Sequence, residues 1–404
     1  MSVATPPEIF ASTLAFLERL TAISSPSGDP TGLAAAAECL AGAFRRRGFA
    51  VEIRRQPDAG ETLLPVLYAR GAKLPPGAGP YLLIVGHFDT VLAAVPSERR
   101  GERLYATGAI DMKGGLAALV GALDLLAARG RAGAEDLMVA VVPDEEVGGR
   151  LTQEVVETLG ADARGLWSLE PGQRRGGAET MVIGRRGMFQ WQLEVEGRAA
   201  HAGNGYWQGR SALVAAADWC VGARALAAPG DGPTVNAGRL VAGDRSFVDD
   251  LAAGAALVGT QQQLNVVPDR ARVEGEARFL RRADRDRLAR EMGMLAERVA
   301  RDHGVAARFQ HHSTVRPLAP AEASRRWARR AVEVAEAGGW RLAVEEDRPG
   351  ISFPNFLPEG AEIPAIDGLG PVGGGMHTRE EFLELASLDR RIALLAELLV
   401  AARE

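Results

Sequence analysis

The sequence YLLIVGHFDT, residues 81–90, is the best indicator of the fold class, because it joins a buried strand directly to polar side chains. Tyr81 to Val85 is a continuous apolar run that ends at a glycine, as expected for a strand buried on both faces of a sheet. Leu137 to Val142 repeats this pattern after a helix-like apolar run over residues 112–128. The alternation of strands and helices predicts an α/β sheet covered by helices.

The composition is that of globular domains and excludes several classes of partner. The chain has 404 residues, of which 47% are hydrophobic and 25% charged, so it is long enough for two domains. A formal net charge of -5 provides no basic field, so we expect neither nucleic acid nor a membrane surface as a partner. The N-terminal stretch lacks the basic start of a signal peptide. The expected location is the cytoplasm, where Cys39 and Cys220 would stay free thiols.

The hydrophobic pattern changes near residue 181, which predicts a second domain inserted into the first. The stretch MVIGRRGMFQWQLEVEGRAAH alternates apolar and polar residues, as a half-exposed strand does. The elements predicted after it are a helix at 208–227, strands at 236–241, 261–267 and 271–280, and a helix at 284–302. Two helices on one face of an antiparallel sheet would make an α+β layer. We therefore assign residues 1–180 and 313–404 to the first domain and residues 181–312 to the second.

Two polar motifs stand out, one directly after the first buried strand and one at the start of the helix-like run over residues 112–128. His87 and Asp89 in GHFDT point the same way along an extended chain, so the carboxylate can hold the imidazole as a metal ligand. The alternative for His87 is a histidine satisfied within the core. Asp111 in GAIDMKGG lies where a loop enters an apolar helix, and the alternative is a helix N-cap. The glycines after it suggest close backbone packing.

Two acidic stretches follow the next buried strands. In VVPDEEVGG the successive acids Asp144, Glu145 and Glu146 repel one another unless a divalent cation reverses the penalty. Of two adjacent carboxylates, one could bind metal while the other acts as a base. In SLEPG, Glu170 ends an apolar strand before a Pro-Gly turn. The alternative for both stretches is a solvated turn.

A glycine-rich segment near the C-terminus carries His377, within GGGMHTREEF. It is preceded by a GxGxxG match from Gly368 to Gly373, which could indicate a dinucleotide site and a nicotinamide-dependent oxidoreductase. That match contains Pro371, and no long apolar helix follows it. The glycines fit better with a backbone that crowds a metal site. Histidine and carboxylate ligands together suit zinc, and also cobalt or manganese.

Taken in order, these motifs resemble those of the M20 metallopeptidase family, and most of all its glutamate carboxypeptidase branch. The resemblance is carried by HFD, GAIDMKGG, DEEVGG, LEP, GRAAHAGN, NVVPDRARVEGEAR and GGGMHT, over about residues 80–382. It implies a mixed-sheet zinc-peptidase catalytic domain with an inserted α+β, ferredoxin-like lid and dimerisation domain. It also implies two Zn²⁺ ions per chain and a homodimer formed through the lid.

The resemblance also implies a role for each motif residue of the first domain. His87 and Glu170 would bind the first zinc ion, and Asp111 would bridge both ions. The second ion would be completed by Glu146 and His377.

The acids beside these ligands would have other roles. Glu145 would be the general base. Asp89 would orient the imidazole of His87.

The inserted domain would contribute three residues that act on the substrate. In GRAAHAGN, His201 matches the lid histidine that reaches the partner subunit's active site and polarises the substrate carbonyl. In NVVPDRARVEGEAR, Asn265 and Arg278 match residues that hold the substrate's carbonyl and carboxylate. One segment departs from the family: GISFPNF stands where an SDGNF-like loop is usual, so Phe353 replaces an acid and Pro354 a glycine.

These inferences predict a di-zinc hydrolase that cleaves an amide bond in a small carboxylate-bearing substrate. The substrate would be a peptide with a C-terminal Glu-type residue or an N-acyl amino acid, attacked by metal-activated water with Glu145 as base. The alternatives within the family are a diacid deacylase, such as a desuccinylase, and an aminopeptidase, which would want an acidic subsite in place of Arg278. A non-catalytic relative that only binds a ligand is the remaining alternative.

Overall fold

The computed structural model describes residues 4–75, 77, 79–131, 134–252, 265–358 and 363–403. The chain divides into two compact units. The first unit comprises Met1–Gly184, Pro320–Arg348 and Ser352–Glu404, and the second comprises Arg185–Ala319 and Pro349–Ile351. Within the described ranges, no helix is long and apolar enough to cross a membrane.

The first unit is built on a six-stranded mixed sheet. Its strands, in spatial order, are Ala50–Pro57, Leu63–Arg70, Leu137–Val142, Tyr81–His87, Ala163–Ser168 and Ala365–Ile366. The first two strands run antiparallel to their neighbours, whereas the last four are mutually parallel. The central strand Tyr81–His87 is buried along its whole length, as its apolar sequence predicts. Because the parallel strands end at one edge, the residues that follow them meet there.

Helices and two small sheets complete the first unit. The helices are Pro7–Thr21, Pro30–Arg45, Lys113–Ala128, Arg150–Gly160, Glu322–Ala337 and Leu385–Ala401. One small sheet contains Leu342–Glu345, Ala178–Val182 and Arg174–Arg175, and the other contains Gly373–Gly374, Phe382–Glu384, Arg103–Tyr105 and Glu98–Arg100. The short 3₁₀ turns in this unit are Glu145–Val147 and Phe353–Phe356.

The helix Lys113–Ala128 is buried on almost every side, and its first turn explains the paired glycines of GAIDMKGG. A Cβ on Gly114 would collide with the carbonyl oxygen of Ala109, and one on Gly115 with the carbonyl oxygen of Leu169. The close packing expected from the sequence is therefore present. It brings the start of this helix against the residue that precedes Glu170.

The second unit has the βαββαβ order of a ferredoxin-like fold. Its antiparallel strands, in spatial order, are Thr234–Gly243, Arg270–Phe279, Gly187–Glu196 and Ala306–Val315. The helices Ala212–Arg224 and Arg282–His303 pack on one face, around a core that includes Trp191, Trp219 and Phe279. The predicted fold class, a mixed α/β domain with an inserted α+β domain, is confirmed.

Several details of the second unit differ from the sequence-based expectation. The predicted strand 261–267 falls partly outside the described residues, and its described end forms only one bridge, between Val266 and His201. The strand Ala306–Val315 was not expected, and it continues past residue 312 because Val315 pairs with Met188. It is an edge strand with many polar side chains, so its hydrophobic signal is weak. The helix Arg245–Ala252 and the turn Tyr206–Gln208 were not expected either.

Candidate active site

Three adjacent parallel strands place His87 and three of the predicted glutamates at one edge of the main sheet. His87 ends its strand, Glu145 and Glu146 form the 3₁₀ turn after Leu137–Val142, and Glu170 follows Ala163–Ser168. The strand of His87 lies between the other two. The structure therefore brings together side chains that are far apart in the sequence.

His87 is completely buried, and its two ring nitrogens face different groups. Nε2 lies 3.2 Å from Oδ1 of Asp111 and 3.8 Å from Oε1 of Glu170. Nδ1 lies 3.0 Å from the backbone carbonyl oxygen of Asp89 and 3.3 Å from its Oδ1. Burial lowers the pKa of His87, but hydrogen bonds with Asp111 and Asp89 outweigh burial and raise that pKa well above its ordinary value.

Asp89 is also completely buried and holds the acidic turn as well as the histidine. Its Oδ2 accepts a hydrogen bond from the Ser27 hydroxyl at 2.8 Å. The backbone N–H groups of Glu145 and Glu146 point to Asp89 at 3.3 and 3.2 Å. One carboxylate thus fixes the imidazole of His87 and the backbone of the two glutamates.

Asp111 places one carboxylate oxygen toward each histidine. Oδ1 faces Nε2 of His87 at 3.2 Å, and Oδ2 faces Nε2 of His377 at 3.3 Å. Burial raises the pKa of Asp111, but hydrogen bonds from both histidines outweigh burial and hold that pKa well below its usual range. Asp111 is not an N-cap here, because the helix Lys113–Ala128 begins after Met112 without a side-chain cap. Its carboxylate instead lies between two potential metal positions.

His377 belongs to a loop and is the most exposed of the candidate ligands. Its side chain is 54% exposed, and Nε2 lies 3.2 Å from Oε2 of Glu146. Its backbone has a left-handed φ of 64°, which is uncommon for a residue with a side chain. A hydrogen bond with Asp111 and the charge of Glu146 raise the pKa of His377 to about 9.

The remaining carboxylates are crowded. Burial raises the pKa of Glu145, raises that of Glu146 to about 8, and raises that of Glu170 well above its ordinary value; neighbouring acids add to each shift. Oε1 of Glu170 is buried and has no hydrogen-bond partner among the described residues. Such a cluster is costly unless protons or cations neutralise it.

Asp144, the first of the three successive acids, has a different position. Its carboxylate accepts hydrogen bonds from the backbone N–H groups of Leu151 and Thr152 at 2.8 and 3.0 Å, and from the Thr152 hydroxyl at 2.8 Å. It therefore holds the first turn of the helix Arg150–Gly160, and it belongs to neither set of potential metal ligands. The three acids divide into one structural residue and two that enter the site.

Sequence reasoning missed two neighbours of this site, Glu381 and Asp367, and named a third, Phe353, without its contact. Glu381 accepts hydrogen bonds from the backbone of the loop that carries Asp111. Asp367 is completely buried, and its charge contributes to the raised pKa of Glu145. Phe353, the departure from the family pattern, is completely buried with its ring stacked on His87 at 6.4 Å between centroids. The only signal for Glu381 was its place in GGGMHTREEF, which also suits an exposed loop.

His201, Asn265 and Arg278 all belong to the second unit. Nδ1 of His201 accepts hydrogen bonds from the backbone N–H groups of Gly203 and Asn204 at 3.0 and 3.2 Å. The neutral imidazole therefore carries its proton on Nε2 and can donate it outward. The Asn265 carbonyl oxygen accepts a hydrogen bond from the backbone N–H of Ala202 at 2.7 Å, which ties the two motifs together.

Arg278 already has partners within its unit. Its Nε lies 2.7 Å from Oε1 of Glu276, its Nη2 lies 3.3 Å from Oε2, and its Nη1 donates to the Pro349 carbonyl oxygen at 2.7 Å. A guanidinium has five N–H donors, and these contacts use three of them. A substrate carboxylate would therefore share Arg278 with Glu276 or displace it.

The pairwise spacing of the first-unit candidate ligands is that of two ligands on one zinc ion. Two ligands of a tetrahedral zinc ion, each about 2.0–2.1 Å from the metal, are separated by about 3.3 Å. The pairs His87–Asp111, His377–Asp111 and His377–Glu146 lie at 3.2, 3.3 and 3.2 Å. In each of two sets of three residues, one potential ligand atom per residue lies within 4.8 Å of the others: His87, Asp111 and Glu146 form one set, and His87, Glu145 and Glu170 form the other. Both sets contain His87, and neither reproduces the division of ligands that the family resemblance implies. Nitrogen and carboxylate oxygen donors are those that zinc prefers.

The dinucleotide interpretation of Gly368 to Gly373 is not supported. Gly373 and Gly374 form a short strand paired with Phe382 and Leu383, where a nucleotide-binding turn would open a helix. The glycines permit close backbone contacts. A Cβ on Gly370, for example, would lie 2.5 Å from the carbonyl oxygen of Leu169.

This fold and this cluster of histidines and carboxylates define a hydrolase of the metallopeptidase class. The chain belongs to peptidase family M20/M25/M40, whose model matches residues 83–401. Carboxypeptidase G2 of Pseudomonas sp. (strain RS-16) is 27% identical over 398 residues, covering 95% of this chain and 88% of that protein. Succinyl-diaminopimelate desuccinylase of Xylella fastidiosa (strain 9a5c) is 30% identical over 330 residues, covering 77% of this chain and 80% of that protein. The aminopeptidase PepT structure from Bacillus cereus superposes with a TM-score of 0.76 at 20% sequence identity. The superposition covers 98% of this chain and 99% of PepT.

Proposed function

We propose that this protein is a two-metal hydrolase that cleaves an amide bond in a small substrate bearing a free carboxylate. The observation that carries the proposal is Asp111, whose two carboxylate oxygens face two different histidines at 3.2 and 3.3 Å. That arrangement is expected of a carboxylate that bridges two cations. The substrate would be a peptide with a C-terminal Glu-type residue or an N-acyl amino acid.

His87 and Glu170 would hold the first cation, Glu146 and His377 would hold the second, and Asp111 would bridge them. Zinc suits this donor set, and cobalt or manganese would also fit it. When bound, the two ions would supply Lewis acidity and lower the pKa of a water molecule.

Glu145 is the proposed general base. Its backbone is fixed by Asp89, and in the metal-free cluster burial raises the pKa of its carboxyl. Glu145 would take a proton from the attacking water and return it to the leaving amine. Asp89 would contribute indirectly, by orienting the imidazole of His87.

The second unit would supply the contacts to the substrate. His201, protonated on Nε2, would donate to the carbonyl oxygen of the scissile amide as negative charge develops there. By the family resemblance, His201 would act in the partner subunit's active site. Asn265 would contact the same carbonyl, and Arg278 would pair with the substrate carboxylate, for which a guanidinium is better suited than an ammonium.

A diacid or N-acyl amino acid deacylase is the second candidate, and the 30% identity to a desuccinylase favours it. Both candidates require a carboxylate on the substrate, so Arg278 does not distinguish them. An aminopeptidase is less favoured, because Arg278 is a poor partner for a substrate ammonium. A non-catalytic relative is less favoured, because both Glu145 and the ligand set are present.

The proposal is tested by metal content and hydrolysis measured together. We expect about two metals per chain and hydrolysis of N-acyl amino acids or dipeptides, lost on chelation and restored by zinc. The matched control is each good substrate with its C-terminal carboxylate converted to an amide, which should be cleaved poorly. Protein that takes up no metal from added zinc would sink the proposal. Metal uptake without hydrolysis of any substrate would favour a binding protein.

A homodimer formed through the second unit is part of the proposal. Among the described residues, seven of the eleven exposed large apolar side chains lie in this unit. Val214 and Val221 are 48% and 72% exposed and lie two turns apart on the helix Ala212–Arg224, so they share a face. The strand Thr234–Gly243 lies at one edge of the sheet and exposes Leu240. An exposed edge with apolar neighbours suits pairing with a second copy.

We expect a dimer in light scattering after size exclusion, and a monomer after Val214→Glu and Val221→Glu are combined, because two buried charges would oppose the contact. Activity should fall with the dimer if His201 acts across the subunits. Leu63→Glu, at a 52% exposed position in the first unit, is the control. A wild-type monomer with full activity would contradict both the dimer and the role of His201 across subunits.

A further inference from the structure

Glu381 is a buried carboxylate that is fully engaged with one loop. Glu381 is only 4% exposed. Oε2 accepts a hydrogen bond from the backbone N–H of Gly108 at 2.8 Å, and Oε1 accepts from Ile110 and Asp111 at 2.9 and 3.1 Å. A charged acceptor with three backbone donors makes strong, short hydrogen bonds. The side chain therefore fixes the course of the loop as far as Asp111.

The backbone of Glu381 holds the same two segments together. Its carbonyl oxygen accepts a hydrogen bond from the N–H of Ala106 at 3.2 Å, and its own N–H donates to Thr378 at 3.3 Å. Thr378 directly follows His377, and its N–H and hydroxyl both point to the Gly375 carbonyl oxygen, at 3.1 and 2.7 Å. Glu381 thus joins the loop of Asp111 to the loop of His377.

This connection matters because the two loops must keep a narrow separation. Oδ2 of Asp111 and Nε2 of His377 lie 3.3 Å apart, close to the spacing of two ligands on one zinc ion. The side chain of His377 is 54% exposed, so packing does little to fix its position. A shift of either loop would change that spacing directly.

Glu381 is not arranged as a ligand itself. Both carboxylate oxygens are already directed at backbone N–H groups of the Asp111 loop. Three amide dipoles also offset its negative charge, which would otherwise repel the nearby carboxylate of Asp111. The residue is therefore suited to placing other groups.

We propose that Glu381 is a positioning residue that sets the distance between Asp111 and His377 and so determines how tightly the metal pair is bound. This proposal rests on the two-metal function proposed above. It assigns the end of the GGGMHTREEF motif a role in building the site, through contacts behind the ligands. Partners of this kind typically affect metal affinity by about 10- to 100-fold when they are removed.

The test compares Glu381→Ala and Glu381→Gln with the neighbouring control Glu380→Gln. The Glu380 side chain is 75% exposed and has a surface ion pair with Arg100 at 3.5 Å. Metal-free proteins are titrated with Zn²⁺ by calorimetry and with Co²⁺ by visible absorption, well below the melting temperature of each variant. Alanine removes all three acceptor contacts. Glutamine keeps the acceptor toward Ile110 and Asp111 but can place an NH₂ group against the N–H of Gly108.

We expect zinc affinity to fall about 10- to 100-fold for Glu381→Ala, less for Glu381→Gln, and not at all for Glu380→Gln. The Co²⁺ spectrum should change in the same order, because the ligands move. A fold-stabilising role alone would lower the melting temperature and leave the affinity and spectrum of the folded variants unchanged, and that result overturns the proposal. If alanine prevents folding, unchanged zinc affinity in folded Glu381→Gln overturns it equally. If the wild-type protein itself binds no metal, the two-metal function fails, and all the variants behave like the wild type.

Discussion

Replacing Glu145 by glutamine is expected to lower kcat by about 100- to 10,000-fold while leaving the metal content unchanged. Glutamine has nearly the same shape as glutamate but cannot accept a proton from water. The backbone of residue 145 would remain fixed by Asp89, since that contact uses the main-chain N–H. Affinity for substrate should change little, because the lost interaction develops mainly in the transition state. Steady-state kinetics and metal analysis on the same preparation measure both quantities.

The matched control is Glu154→Gln, because Glu154 is exposed on the next helix and pairs with Arg150 at the surface. It should keep wild-type activity. Glu145 also lies within reach of His87 and Glu170 as a potential ligand. If Glu145→Gln lost one metal per chain, Glu145 would be a ligand and the division of roles between Glu145 and Glu146 would be wrong. Full activity in Glu145→Gln would remove the general base assignment altogether.

The location of the site could be predicted from sequence because its residues directly follow buried strands. Apolar runs such as Tyr81 to Val85 are readily identified, and parallel strands must end at one edge. The order of the strands, which places that of His87 between those leading to Glu145 and Glu170, is a tertiary property. Sequence pattern alone therefore predicted a cluster of acids but could not give its distances.

Other features depend on partners that are distant or locally ambiguous. Glu381 contacts Asp111 although the two residues are 270 positions apart in the sequence, and no local sequence pattern predicts such a contact. Asp144 and Glu145 are adjacent acids, yet only the geometry of the following helix shows that Asp144 holds its first turn. The family resemblance assigned Arg278 to the substrate carboxylate, whereas Glu276, two residues earlier on the same strand face, already pairs with it. In each case the decisive information is the direction of a side chain.

The metal-free protein is expected to lose stability as the pH rises from about 5 to 9, and added zinc should reverse the loss. The pKa of Glu146 is raised from 4.5 to about 8 by burial and neighbouring charges, so the folded state binds a proton there that the unfolded state has released. The pKa of His377 is raised from 6.5 to about 9, chiefly by its hydrogen bond with Asp111. Where the folded state binds more protons than the unfolded state, unfolding free energy falls with pH.

Both groups act in the same direction because protons substitute for cations in this cluster. Below about pH 5 the carboxyl of Glu146 and the imidazole of His377 are protonated, and the repulsion among the acids is smallest. At higher pH those protons leave, and the cost of keeping the acids together grows. Metal ions need deprotonated ligands, so zinc affinity should rise over the same range. Zinc at about 100 times its Kd should then stabilise the protein by about 2.7 kcal/mol.

The measurement is thermal unfolding at pH 5.5 and 8.5, with and without zinc, for the wild type and Glu146→Gln. The zinc-dependent rise in Tm should be larger at pH 8.5 than at pH 5.5 in the wild type. Glutamine removes one titrating acid, so the metal-free variant should lose less stability with pH, and it should gain less from zinc because a ligand is missing. A general effect of the substitution on packing would instead lower Tm in every condition. A smaller loss of stability with pH together with a smaller gain from zinc therefore distinguishes the two explanations. A wild-type Tm shift that is equal at both pH values would mean that protons and zinc do not compete for these groups, and the carboxylate cluster would then not be the metal site.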